Sequence, residues 1–89
     1  LDVRSTAEFD EGHIPGAINI PYDALGARLA ELGPAGERDV VVYCRSGRRS
    51  AIALEALKGA GFSRLFHLDG DYLRWSEEHR TIVGPPAQP

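Results

Sequence analysis

The apolar positions of the chain form short runs, and the spacing within the runs changes between strand-like and helix-like. The run Val40–Tyr43 is continuously apolar, which is typical of a strand buried on both faces. Shorter stretches at Leu1–Val3, Ala17–Ile20 and Arg64–Leu68 predict further strands. Because strands and helices alternate, we predict an α/β fold with a mainly parallel central sheet flanked by helices on both faces.

Two helical segments are predicted in the first half of the chain. Ser5 or Thr6 is placed to cap a short turn containing Ala7–Phe9. Asp23 is placed to cap a longer helix over Ala24–Leu32, whose leucines fall on one helical face.

Two more helices are predicted in the second half. Ser50 is placed to cap a helix that runs to about Gly59, where a glycine-rich stretch ends it. Three residues of this helix are expected to face inward: Ile52, Ala56 and Leu57. The last helix is predicted over Tyr72–His79, after a turn at Asp69-Gly70.

The length of 89 residues allows one domain. We assign residues 1–80 to this domain and expect the tail 81–89, rich in proline, to be flexible. A net charge of −3 gives no support to a nucleic-acid or anionic-membrane partner. The single cysteine excludes an internal disulfide, and no Cys/His spacing suggests a metal site.

The start of the chain bears on its compartment. No apolar run approaches the length of a membrane span, and no signal peptide is recognisable. The chain contains no Met and opens on a strand-like segment, so we expect a processed or truncated chain. The compartment is therefore unknown; we favour a cytoplasmic location and leave a periplasmic one open.

The stretch after the central strand carries the candidate chemistry. Cys44 ends the strand, and six residues lead from it into the next helix: Arg45, Ser46, Gly47, Arg48, Arg49 and Ser50. Ligands of open α/β sheets bind at this end of the strands. Gly47 permits a turn in which backbone N–H groups converge, and a helix start adds partial positive charge. No acidic residue occurs from Val40 to Leu54. These features favour the thiolate form of Cys44, a nucleophile beside an anion pocket.

A structural interpretation of the same residues has to be weighed. A lone cysteine is often a small buried hydrophobe without chemistry, and an arginine is most often a solvated surface residue. We expect at least one of the three loop arginines to point away from the pocket.

Two motifs resemble a known family. The loop CRSGRRSA after VVVY resembles the active-site loop of single-domain rhodaneses, which are sulfurtransferases. A second stretch is similar to the N-terminal rhodanese signature at every defined position: Phe9-x-x-x-His13-Ile14-Pro15-Gly16-Ala17-x-x-Ile20. LDVRSTAEF and AGF…LFHLDG also resemble family segments, so the similarity covers nearly the whole chain in the right order.

The resemblance implies a rhodanese-like fold and a ping-pong transfer of sulfur. The Cys44 thiolate would take the sulfane sulfur of thiosulfate or a similar anion and pass it from a persulfide to cyanide or a thiol. The loop residues 45–50 would bind the substrate, without a metal or organic cofactor. A protein carrying a persulfide is an alternative partner. Family members usually begin with a helix and part of a strand before the DVR stretch, and this N-terminal element is apparently missing here.

Five residues outside the loop receive expectations as well. The resemblance places His13 in a structural turn rather than in catalysis. We expect Asp2 and Arg4 to form buried or half-buried hydrogen bonds that organise the first turn. Asp71 stands where the family often has glycine, and it would either cap the last helix or weaken anion binding by its charge. Trp75 is expected to be a core or packing residue.

Two other functions stay open. Cysteine-dependent phosphatases and arsenate reductases share a cysteine loop at a helix start, but they require arginine at the sixth position after the cysteine, where this chain has Ser50. Rhodanese-like domains also occur as non-catalytic binding or regulatory modules. These typically lose the cysteine, which this chain retains.

Overall fold

The computed structural model describes residues 1–84 of the chain. Strand β1 (Val40–Val42) pairs in parallel with strand β2 (Leu65–His67), with Val42 opposite His67. Asp2 extends the sheet by single parallel bridges to Tyr43 on one side and to Asn19 on the other. The segments therefore lie side by side in the order Asn19, Asp2, β1, β2, which confirms the predicted α/β fold with a parallel sheet.

The two faces of β1 differ in burial. Val40 and Val42 are buried against helix α2 (Arg48–Gly59), because alternate side chains of a strand point to one face. Val41 points to the other face and is 44 % exposed, so the prediction of burial on both faces is wrong. On that side Trp75 lines an open groove of about 270 Å³ with Val41, and this leaves the strand only partly covered.

Helix α1 (Thr6–Glu11) confirms the predicted turn after Ser5. The Ser5 hydroxyl accepts a hydrogen bond from the amide of Glu8, and the Glu8 carboxylate accepts one from the amide of Ser5. This reciprocal capping box satisfies two backbone donors that the helix start leaves unpaired.

Helix α2 begins three residues before the predicted start, because its N-cap is Gly47 and not Ser50. Ser50 is therefore the third helical residue rather than the cap, and it is buried. The residues that face inward are Ser50, Ala53 and Leu57. Of the predicted inward residues Leu57 is buried, whereas Ile52 and Ala56 are exposed, because the buried face follows the spacing of Ser50, Ala53 and Leu57.

The segment predicted as a helix over 24–32 forms two short 3-10 turns instead, Leu25–Ala27 and Leu29–Leu32. No side chain caps either turn, so Asp23 is not a cap. Gly26 lowers the helix propensity of a segment that is too short to be stable alone. Burial of Leu25 in the core holds the first turn in place without a regular helix.

Helix α3 (Asp71–Glu77) starts after Gly70, close to the predicted position. The core lies between the sheet and α2, and it contains these fully buried side chains: Val3, Ile20, Leu25, Val42, Cys44, Ala53 and Leu57. Of the predicted tail, Val83 pairs with His13 in an antiparallel bridge, and residues 85–89 lie outside the described residues. None of the helices within residues 1–84 is long and apolar enough to cross a membrane.

Candidate active site

Cys44 lies at the carboxyl end of β1, at the base of the loop that leads into α2. Its side chain is 1 % exposed. The sulfur Sγ accepts a hydrogen bond from the amide of Gly47 at 3.0 Å and one from the amide of Ser50 at 3.4 Å. Gly47 has a φ of +123°, a conformation that side chains rarely adopt, so the turn that aims its amide at the sulfur requires glycine.

Four other amides of the loop are free to bind a ligand. The N–H groups of Arg45, Ser46, Arg48 and Arg49 donate to no acceptor within residues 1–84. Arg48 and Arg49 form the first turn of the twelve-residue helix α2, where N–H groups lack partners inside the helix. Unpaired donors and the positive end of the helix dipole together favour an anion beside Cys44.

The three loop arginines have different surroundings. Arg49 donates from Nη1 to Glu8 Oε1 at 2.6 Å and from Nη2 to Oε2 at 3.0 Å. These hydrogen bonds lower the pKa of Glu8 to about 2. Arg45 and Arg48 are exposed and have no carboxylate partner in the described part of the chain. That at least one loop arginine points away from the pocket stays a prediction, and Arg49 is the loop arginine that a carboxylate holds.

Asp71 lies against the loop. It is 1 % exposed. Its Oδ1 accepts hydrogen bonds from the Cys44 amide at 2.9 Å and from the Ser50 hydroxyl at 2.8 Å. Its Oδ2 lies 2.9 Å from His67 Nε2. The side chain does not cap α3, so of the two roles predicted for Asp71 the structure supports the one that places a carboxylate close to the loop.

Asp2 and Arg4 form the predicted buried pair, with Arg4 Nη2 2.6 Å from Asp2 Oδ2. Arg4 also donates to the carbonyl oxygen of Gly12 at 2.7 Å, and its guanidinium lies 4.1 Å from the ring centroid of Tyr72. Arg4, Glu8 and Arg45 line one cavity of about 330 Å³ beside the cysteine loop. The pair thus fixes one wall of that cavity.

His13 and Trp75 make the contacts of structural residues. The His13 ring stacks on Phe9 with centroids 3.6 Å apart, and its Nδ1 lies 2.9 Å from the Phe9 carbonyl oxygen. Trp75 is half-buried, and its Nε1 donates to the carbonyl oxygen of Thr81 at 2.8 Å. Both arrangements agree with the roles predicted from the sequence.

Glu8 and His67 are site residues that the sequence did not indicate. The stretch around Cys44 lacks acidic residues along the chain, but Glu8 and Asp71 bring two carboxylates to it in space. Glu8 carries a sequence signal only for capping, since it stands three residues after Ser5. His67 follows Phe66 at the end of a short strand, and no sequence motif includes it.

No group of three or more His, Cys, Asp or Glu side chains within residues 1–84 is arranged to hold a metal ion. The arrangement at Cys44 provides a sulfur nucleophile, N–H donors that stabilise negative charge on it, and exposed guanidinium groups at the mouth of the loop. These are the requirements of covalent catalysis on an anionic substrate.

Comparison with known proteins places this geometry in context. The family model of the rhodanese-like domain matches residues 1–78. A protein named sulfurtransferase from Allochromatium vinosum is 38 % identical over 85 residues, which cover 96 % of this chain and 78 % of that protein. The probable adenylyltransferase/sulfurtransferase MoeZ of Mycobacterium tuberculosis is 44 % identical over 80 residues, which cover 88 % of this chain. The match spans only 20 % of the length of MoeZ.

A solved structure shows the same fold. The rhodanese-related protein from Thermoplasma volcanium superimposes with a TM-score of 0.82 at 32 % sequence identity. The superposition covers 93 % of this chain and 80 % of that one.

Proposed function

The chain belongs to the rhodanese-like domain family, and we propose that it is a sulfurtransferase in which Cys44 carries the transferred sulfur as a persulfide. The observation that carries the proposal is the position of Cys44 Sγ. It receives the N–H groups of Gly47 and Ser50 at the end of a parallel strand, where four further loop amides are unpaired. A cysteine kept only for packing needs no such ring of donors.

The first half-reaction loads the cysteine. The Cys44 thiolate attacks the outer sulfur of thiosulfate, the new S–S bond forms, and the bond between the two sulfurs of thiosulfate breaks. Sulfite leaves with the bonding electron pair, and the persulfide anion remains on Cys44. Charge and atoms balance without a proton transfer, so no general base is needed at this step.

The second half-reaction transfers the sulfur from the Cys44 persulfide to an acceptor. Cyanide or a thiolate attacks the outer sulfur of the persulfide, and the Cys44 thiolate is regenerated together with thiocyanate or a new persulfide. The unpaired loop amides are suited to hold the charge on the outer sulfur between the two steps. A protein that carries a persulfide is an alternative donor or acceptor.

Arg45 and Arg48 supply the charge that attracts an anionic donor. Both are exposed, and neither is paired with a carboxylate in residues 1–84, whereas Arg49 is held by Glu8. The buried position of Cys44 means that a donor has to approach through the mouth of the loop, past these side chains.

A phosphatase or arsenate reductase is disfavoured. Such enzymes need a guanidinium from the sixth residue after the cysteine, and this residue is Ser50, whose hydroxyl donates to Asp71. The preceding Arg49 is turned toward Glu8.

Steady-state kinetics with thiosulfate and cyanide test the proposal. Wild type is expected to release sulfite and thiocyanate with parallel double-reciprocal plots, the pattern of a ping-pong mechanism. Cys44→Ser should abolish turnover while the circular dichroism spectrum and thermal transition are retained. A folded wild type without turnover of any sulfur donor would favour a binding module, and faster turnover of phosphate esters would favour a phosphatase.

A further inference from the structure

The pair formed by Asp71 and His67 lies outside the residues that the proposed sulfur transfer uses. Asp71 has a φ of +54°, a left-handed conformation that few non-glycine residues adopt. Its side chain is nevertheless buried and holds three hydrogen-bond partners from three different elements. An unfavourable backbone conformation that is retained with a fully engaged side chain points to a role for that side chain.

Two of those partners belong to the reactive loop. The Cys44 amide and the Ser50 hydroxyl both donate to Oδ1, at 2.9 and 2.8 Å. The Cys44 amide fixes the backbone that carries the sulfur, and Ser50 also donates its own amide to Sγ. Asp71 therefore helps to fix the position of the sulfur in two ways, through the backbone of Cys44 and through Ser50.

The third partner controls the charge. Oδ2 faces His67 Nε2 at 2.9 Å, and the His67 side chain is 40 % exposed, so the imidazole exchanges protons with solvent. An ionised carboxylate only accepts hydrogen bonds, so beside the Asp71 carboxylate the Nε2 atom of His67 is the donor. When His67 is protonated the pair is neutral, and when it is not the pair carries a buried negative charge.

The charge lies close to the anion pocket. A Cβ placed on Gly47 would lie 3.3 Å from Asp71 Oδ2 and 3.8 Å from His67 Cε1, while the Gly47 amide lies 3.0 Å from Cys44 Sγ. The groups that face Asp71 are Cys44 from the end of β1, Ser50 from α2 and His67 from β2.

Other charged groups near the pair are already engaged or point elsewhere. Asp69 and Arg74, on the turn and helix that carry Asp71, are exposed and paired with each other at 2.7 Å. In the first turn of α2, Arg49 is paired with Glu8, and Arg48 is exposed. Within residues 1–84, Asp71 and Glu8 are the only acidic side chains that accept hydrogen bonds from the Cys44 loop.

We infer that Asp71 is a positioning residue of the sulfur-transfer reaction, which fixes the Cys44 loop through Oδ1 and, through a negative charge that His67 neutralises, sets how strongly the loop attracts anionic reactants. The inference rests on the proposed function. This role implies a preference among sulfur donors. When His67 is neutral, the negative charge of Asp71 disfavours the doubly charged thiosulfate relative to donors of lower charge, such as the persulfide of an uncharged organic thiol.

Alkylation of Cys44 by iodoacetate and by iodoacetamide measures the charge effect. Both reagents react with the same thiolate, so the ratio of their rates reports the local field and not the thiolate fraction. Asp71→Asn should raise the iodoacetate/iodoacetamide ratio about three- to tenfold. Asp69→Asn is the matched control, since Asp69 lies two residues away with its side chain 91 % exposed, and it should leave the ratio unchanged.

The role of His67 has its own signature. The wild-type ratio should rise as the pH is lowered, because a protonated His67 imidazole cancels the negative charge of Asp71. His67→Gln keeps a donor to Asp71 but cannot become charged, and it should remove this rise. If Asp71→Asn fails to fold, the comparison of wild type with His67→Gln tests the inference by itself. An unchanged ratio in folded Asp71→Asn, or an unaltered rise in His67→Gln, would overturn the inference.

The positioning role is separated from the charge by a second pair of variants. Asp71→Asn and Asp71→Gly both remove the charge, but only asparagine keeps an oxygen that accepts from the Cys44 amide. With kcat for sulfur transfer as the readout, Asp71→Gly should be slower than Asp71→Asn by at least about tenfold. Equal kcat values in two folded variants would contradict positioning. A wild type that forms no persulfide would instead refute the sulfurtransferase function itself, whatever the alkylation ratios.

Discussion

The guanidinium of Arg49 is bound to the carboxylate of Glu8 by two hydrogen bonds of 2.6 and 3.0 Å, across 41 positions of sequence. This ion pair joins the first turn of α2, which carries the reactive loop, to helix α1. A residue of the arginine-rich loop thereby stabilises the tertiary structure, and the positive charge available to a ligand is smaller than the composition of the loop indicates.

The ion pair predicts how stability depends on pH. Its hydrogen bonds lower the pKa of Glu8 from 4.5 to about 2. The unfolded chain therefore binds this proton at a higher pH than the folded one, and the contribution of Glu8 is complete above about pH 4.5 and disappears as the pH falls toward 2. Because both side chains are partly exposed, we expect about 1 kcal/mol.

Urea unfolding of wild type and Glu8→Gln at pH 7 and at pH 3 measures that contribution. The difference between the two proteins should be largest at pH 7 and should shrink at pH 3. Glu11→Gln, at the exposed end of the same helix, is the control and should change little at either pH. Equal losses for the two variants at pH 7 would contradict the stabilising role of the pair.

Substitution of the three loop arginines should change different quantities, KM for thiosulfate at Arg45 and Arg48 and the free energy of unfolding at Arg49. Arg45→Gln and Arg48→Gln are expected to raise KM for thiosulfate about three- to tenfold, because both groups are exposed and unpaired with carboxylates in residues 1–84. Arg49→Gln should lower the free energy of unfolding by about 1 kcal/mol. Kinetics and urea unfolding of the three variants test this division, with Arg28→Gln, far from the loop in sequence, as the control. No change of KM in any variant would mean that backbone amides alone bind the anion.

The buried pair of Asp2 and Arg4 should contribute strongly to the stability of the fold. Asp2→Asn leaves the Arg4 guanidinium buried without its counter-charge, which costs about 3–5 kcal/mol. Small domains are stable by about 5–15 kcal/mol, so the variant should lose a large part of its stability and unfold at a clearly lower temperature. Thermal unfolding followed by circular dichroism measures the loss, and Asp10→Asn, exposed on α1, serves as the control. A loss below about 1 kcal/mol would contradict the prediction.

Gly47 should not tolerate a side chain. Gly47→Ala forces alanine into a φ of +123° and brings its Cβ to 3.3 Å from Asp71 Oδ2, which disturbs the amide that binds Cys44 Sγ. We expect a loss of about 1–3 kcal/mol and of most sulfur transfer. Gly59→Ala, at the other end of α2, is the matched control. A Cβ on Gly59 would meet no atom within 4 Å, so this variant should keep both stability and activity. Full activity of Gly47→Ala would contradict the geometry of the loop.

The sequence predicted the parts of the structure that local chemistry decides. The apolar run before Cys44, the capping signal at Ser5 and the glycine at position 47 each act within a few residues, and the fold class and the position of Cys44 at the end of a strand were correct. The helix predicted over 24–32 was wrong, because Gly26 and the short length of the segment disfavour a regular helix even though the leucine spacing fits one. Ser50 was misplaced as a cap, since its buried hydroxyl serves Asp71.

Long-range partners could not be predicted. The partner of Arg49 lies 41 residues away, and Asp71 reaches Cys44 across 27 residues, so the carboxylates of the site arise only from tertiary packing. One sequence contains no signal for such pairs. The exposure of Val41 depends likewise on what covers the second face of the sheet, which a continuous apolar run does not specify.

The mass of the intact protein after brief incubation with thiosulfate tests the central claim most directly. We predict that wild type gains about 32 Da, the mass of one sulfur atom, and that peptide mapping places it on Cys44. The adduct should disappear on addition of cyanide or a thiol, and Cys44→Ser should not form it. A folded wild type whose Cys44 stays an unmodified thiol with every sulfur donor would contradict the account.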